Sequence, residues 1–204
     1  MVSNSCQAKE RKLYEKWGNT QCAAQCGFVE THLHDMEDVD RVMKQSSSAY
    51  ANESPARQLA SAIAKFDPLV AKLVRSARLA LRKRFPTAIE QIYDNYNFLA
   101  IGLCTTERTS DCIVSLAVSA KGVALSFYYG ASLPDPGKIL LGCGKQNRYL
   151  RLDSAATLSR PEVESLLCAA VAQAKSPLPS TGRGYTMIKS VSAKQRSRVW
   201  PTHD

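Results

Sequence analysis

The sequence predicts an α+β domain, an antiparallel sheet of about five strands packed against helices. Three observations lead there. A proline-capped amphipathic pattern opens at Ser54, segments of apolar–polar alternation follow between Phe98 and Tyr129, and a second helical pattern precedes a last strand-like run. Apolar residues at 45% and charged residues at 22% exclude the profile of a disordered chain, so this region can bury a core.

Each element has a local cause. Ser54-Pro55 pairs an N-cap with the imino acid that fits the first helical position, and Leu59, Ile63 and Phe66 follow at helical spacing. Asp67-Pro68 repeats the signal and either kinks this helix or starts another. Val70, Leu73, Val74, Ala77 and Leu81 then share a face, while Arg75, Arg78 and Arg82 line a separate stripe. Arg82, Lys83 and Arg84 close the last turn, where positive charge complements the helix dipole. Phe85-Pro86 is expected to begin a shorter helix reaching about Ile92, with Tyr93–Asn97 as a turn. Phe98–Leu103, Ile113–Ser119 and Val123–Tyr129 read as strands, the last two joined through Ala120-Lys121-Gly122. Leu133-Pro-Asp-Pro136 is expected to introduce a short helix, and Tyr149–Leu152 to resume a strand. Ser159-Arg-Pro-Glu162 reads as a capping box for a helix carrying Val163, Leu166, Leu167, Ala170 and Val171. Tyr185–Val191 is the final strand, giving the order ααβββαβαβ.

Residues 1–53 are expected to form an N-terminal extension and linker, and residues 54–204 the domain with a basic tail; Met1 and Met43 are alternative starts. Charge divides at the same place. Residues 1–54 hold six Lys/Arg and eight Asp/Glu, a net of −2, whereas residues 55–204 hold 21 and 10, a net of +11. Such an excess draws anions, so an anionic small molecule, nucleic acid or an acidic protein surface are the partners expected. The charged start and the lack of any long apolar run point to a cytoplasmic protein without a membrane partner. Seven scattered cysteines read as reduced thiols.

Two groups are candidate sites. Gly144 and Lys145, with Arg148 and Arg151, place a glycine turn beside cations suited to a phosphate or carboxylate, though no Walker loop is present. Arg75, Arg78, Arg82, Lys83 and Arg84 form a basic helix face able to track a phosphate backbone, extended by Lys189, Lys194, Arg196 and Arg198. Catalytic groups are sparse. The domain's one histidine is His203, Cys143 beside Lys145 is a candidate activated thiol, and Glu90 and Asp94 are a candidate carboxylate pair one helical turn apart. Cys22, Cys26, His32 and His34 lack the spacing of a zinc finger, so no metal and no cofactor is expected.

At Phe127-Tyr-Tyr-Gly130, Leu133-Pro-Asp135 and Gly142-Cys-Gly-Lys-Gln-Asn-Arg-Tyr-Leu-Arg-Leu152 the sequence resembles the YdhG-like family, a domain family of unknown function, over most of residues 55–175. The resemblance implies a frataxin-like α+β fold and, as for some members, a role in handing on iron. The chain departs from that role where Arg75, Arg78, Arg82, Lys83 and Arg84 stand on the helix that would carry iron-binding carboxylates. Tyr93-Asp94-Asn95-Tyr96-Asn97 also stands where many members have Lys-Trp-Gly-x-Pro. The reading is therefore a non-catalytic binding or interaction module for an anionic ligand or partner, with an iron-handling chaperone as the alternative.

Overall fold

The computed structural model describes residues 53–199. The expectations for residues 1–52, the Cys22/Cys26/His32/His34 set among them, and for His203 lie outside the described residues.

Helix α1 (Pro55–Ala64) starts where Ser54 accepts the Arg57 N–H, and it buries Leu59, Ala62 and Ile63. Asp67 begins a second helix, α2 (Pro68–Arg84), by accepting the Leu69 N–H at 2.8 Å. Ala71, Val74, Ala77 and Leu81 recur at helical spacing and form its buried side.

The six strands are β1 (Ile89–Asp94), β2 (Leu99–Cys104), β3 (Cys112–Ser119), β4 (Gly122–Phe127), β5 (Arg148–Leu152) and β6 (Thr186–Val191), in the sheet order β5-β4-β3-β2-β1-β6. Strands β1 to β5 pair antiparallel in chain order, and β6 lies parallel to β1. The remaining helix, α3 (Pro161–Ala172), joins α1 and α2 on one side of the sheet. Register sorts the two faces. Ile92, Ile101, Leu116, Leu125 and Leu150 stand opposite one another in adjacent strands, and all are buried in the core with the helices. The other face carries two rows with small residues at their centre, Tyr93–Ala100–Ala117–Ala124–Arg151 and Gln91–Gly102–Ser115–Ser126–Tyr149.

Four expectations are corrected. The segment from Pro86 to Ile92 is not a helix, because Ile89–Asp94 is a strand between β2 and β6, and Tyr93 and Asp94 belong to it rather than to a turn. Its polar residues hide the alternation. Glu90 and Asp94 face the helices through ion pairs, while Gln91 and Tyr93 on the opposite side are covered by the loop after β2. No α-helix follows Leu133-Pro-Asp-Pro136, since the Asp135 carboxylate accepts the N–H groups of Ile139 (3.1 Å) and Leu140 (2.8 Å) and folds the segment into turns. Ser159 does not cap α3, for it ends a 3₁₀ turn (Ala155–Ser159) and Arg160 takes the N-cap position without a side-chain bond. The hairpin after β3 has Ser119 opposite Gly122, so Gly122 opens β4 and the loop is Ala120-Lys121 alone.

Gly184 seats β6 beside β1. Its N–H donates to the Pro86 carbonyl at 2.8 Å, and a Cβ there would run into the Ala88 carbonyl. Gly184→Ala is expected to cost about 2 kcal/mol, read as a lower urea midpoint at unchanged slope.

Candidate functional site

The basic stripe of α2 divides into structural and surface cations. Arg78 reaches back to β1 with both prongs on Glu90, Nε to Oε1 at 2.7 Å and an NH2 to Oε2 at 2.6 Å. Arg82 adds a bond to Oε2 at 3.1 Å, and the Thr186 hydroxyl another at 2.7 Å from β6. Glu90 is 0% exposed. Burial alone pushes its carboxyl up, but the bonds from Arg78 and Thr186 and the charges of Arg78 and Arg82 together outweigh burial and hold it below the usual carboxylate range. Arg84 pairs with Glu164 of α3 at 2.8 Å and contacts the Cys168 sulfur at 3.2 Å. The five residues of the expected basic face are thus divided: Arg78, Arg82 and Arg84 are engaged by carboxylates, while Arg75 and Lys83 are exposed.

Asp94 anchors a second network. Lys65, just past α1, meets its Oδ2 at 2.9 Å, and Arg198 meets its Oδ1 at 2.8 Å. Arg198 is 4% exposed and lies 5.1 Å from the centre of the Phe66 ring, so it does not extend a surface patch as expected. The segment leading to it is held too, because Ser192 N–H donates to the Asp94 carbonyl and Arg196 N–H to the Tyr96 carbonyl. Glu90 and Asp94 are thus not a carboxylate pair on a helix. They share one face of a strand about 13 Å apart, each held by its own cations, too far for a shared proton.

The glycine–lysine loop is built differently from its expected form. The positive φ of +105° falls at Gly142, under the Tyr149 ring, and not at Gly144. Asn147 pins the loop to β4 through the Ser126 hydroxyl at 2.9 Å. Arg148 turns its NH1 onto the carbonyls of Gly144 and Asn147, so its guanidinium organises the turn rather than standing open to an anion. Lys145 and Arg151 are exposed, and Arg151 closes the first row of the helix-free face, opposite Ala124. Gly144 is buried, and what it contributes is the backbone carbonyl that accepts from Arg148.

Cys143 is not among the free thiols, which in the described residues are Cys104, Cys112 and Cys168, so an activated thiol beside Lys145 is not seen. A pair overlooked in the sequence is Cys104 and Cys112, which face each other across β2 and β3. Their signal was present: each flanks the loop of one hairpin, at the end of one strand and the start of the next.

A cleft between Ser110–Ile113, Tyr129 and the end of α3 holds about 10 Å³, far below the ~300 Å³ at which small-molecule pockets begin. Among the described residues no group of three or more His, Cys, Asp or Glu is gathered to hold a metal ion, and no helix is long and apolar enough to cross a membrane. Compared with protein-family models, curated proteins and solved structures, the chain has no match. The resemblance to the YdhG-like family rests on its motifs alone.

Proposed function

We propose that the domain is a non-catalytic binding module for an anionic ligand or partner, engaged by Lys145 in the loop before β5 and by Arg151 on the helix-free face of β5. The supporting observation is the excess of positive charge outside the two β1 networks. Residues 53–199 hold 21 Lys/Arg and 10 Asp/Glu, and the two β1 networks take four of the cations and two of the carboxylates. Seventeen cations against eight carboxylates remain, a net of +9. Arg148 is a positioning residue in this reading, holding the loop that presents Lys145.

The same proposal places the domain with the YdhG-like, frataxin-like folds. Helices on one face of a mainly antiparallel sheet support it, together with the motif order. Neither α1 nor α2 carries an acidic residue, which favours anion recognition over iron handling, because a hard cation needs carboxylate oxygens.

Binding of a short duplex DNA, used as a generic polyanion, tests the proposal. If about four phosphates are neutralised, log affinity is expected to fall against log salt with a slope near −3.6. The Lys145→Ala/Arg151→Ala variant is expected to flatten it by about 1.8, as two lost contacts would. No binding near physiological salt, or an unchanged slope, defeats the assignment.

A further inference from the structure

Cys104 ends β2 and Cys112 begins β3, and the two pair across a β-bulge, where the register shifts between Leu103 and Cys104. The two thiols touch side chain to side chain, the approach from which a disulfide can form. Both sulfurs point to the helix-free face and converge above Gly102. A Cβ on that glycine would lie 3.2 Å from the Cys112 sulfur and 3.7 Å from the Cys104 sulfur, so the missing side chain is the space the thiols occupy.

We propose that Cys104 and Cys112 are a redox-active dithiol that a small disulfide, such as oxidised glutathione, converts reversibly to a cross-strand disulfide. Their roles follow from exposure. Cys112 is half-buried, whereas Cys104 is 1% exposed. Cys112 as thiolate attacks one sulfur of the oxidant, forming a mixed disulfide and releasing the first thiolate. Cys104 then loses its proton as its sulfur attacks the Cys112 sulfur, and the second thiolate leaves. Two protein thiols are oxidised by two electrons, and one disulfide is reduced to two thiols.

The neighbourhood fits this order. The contact with Cys112, then burial and the Asp111 charge, push the Cys104 thiol up, while Lys189 on β6 opposes them. Cys104 accordingly stays protonated until its partner is activated, which suits a resolving group. The bridge would staple the base of the Thr105–Asp111 loop. That loop covers Gln91 and Tyr93 through the Thr106 carbonyl (3.2 Å) and the Thr109 hydroxyl (2.6 Å), so oxidation state would set how firmly one end of the helix-free face is closed.

The full chain, reduced and then incubated with oxidised glutathione, tests this by tryptic mapping without reductant. Cleavage after Arg108 separates the two cysteines, so a bridge joins two peptides that otherwise travel apart. The expected result is a Cys104–Cys112 linked pair lacking two hydrogens and released by dithiothreitol. Exposed Cys168 serves as the internal control and is expected to take up glutathione. In Cys104→Ser the mixed disulfide is expected to persist on Cys112, and in Cys112→Ser Cys104 is expected to stay unmodified. Free alkylation of both peptides while Cys168 has reacted overturns the proposal, as does a bridge from either cysteine to another. The unsubstituted chain alone decides this if a variant does not fold.

Discussion

Arg78→Ala is expected to destabilise the domain by about 3–5 kcal/mol, because it removes the two-pronged partner of a carboxylate that has no access to water. The Arg78 side chain is 29% exposed, so most of the loss is the cost of leaving Glu90 charged and under-bonded, not the attraction of the pair. Arg75→Ala, three residues earlier and exposed, is expected to change stability by less than about 0.5 kcal/mol. Urea unfolding of the two variants separates structural from surface cations on one helix, and equal losses would contradict the division.

The pH dependence has a defined sign. The Glu90 carboxyl is held lower in the folded chain than in the unfolded one, so below the unfolded value the unfolded state binds more protons and stability rises with pH. The contribution is fully present above the unfolded carboxylate pKa of about 4.3 and is lost as the pH falls toward the lower folded value. In Glu90→Gln the acid-induced drop in unfolding midpoint is expected to be smaller than in the unsubstituted chain, although the variant is weaker at neutral pH, since Arg78 and Arg82 then share a neutral amide. An unchanged acid limb would show that other carboxylates govern it.

Arg198→Ala is the second large effect, expected at about 3 kcal/mol. It empties the space over Phe66 and leaves Asp94 with Lys65 as its single charged partner. The loss is expected to be regional as well as global. Ser192 and Arg196 donate backbone bonds to the Asp94–Tyr96 turn, and their amides are expected to exchange faster in the variant, while those of Leu116 and Leu125 follow global stability. Unaltered protection at Ser192 and Arg196 would mean that the closing segment is held without Arg198.

The elements that could be read in advance are those whose causes are local. Ser54-Pro55 and Asp67-Pro68 cap their own helices, and the apolar spacing from Ala71 to Leu81 places one side of α2 in the core. The β3–β4 hairpin was legible because its alternation, Val114, Leu116 and Val118 against Val123, Leu125 and Phe127, is written into both strands. Ser159 looked like a cap by spacing alone, yet the turn before it claimed that residue.

Other features depend on partners distant in the chain. Ile89-Glu-Gln-Ile-Tyr-Asp94 carries three polar residues in six, and nothing nearby shows that Arg78, Thr186 and Arg198 will satisfy Glu90 and Asp94. Arg75, Arg78 and Arg82 form a single stripe by residue number, and only the seating of β1 beneath α2 turns two of them into interior partners and leaves the third in solvent. Arg148 and Arg151 likewise differ by where β5 starts, since the first meets the carbonyls of its own loop and the second points across the helix-free face. The residue types by themselves determined the positive charge of the domain and where its helices begin. Tertiary structure decided which charges are consumed, because a carboxylate taken out of water must draw its cations from whatever elements the sheet brings within reach.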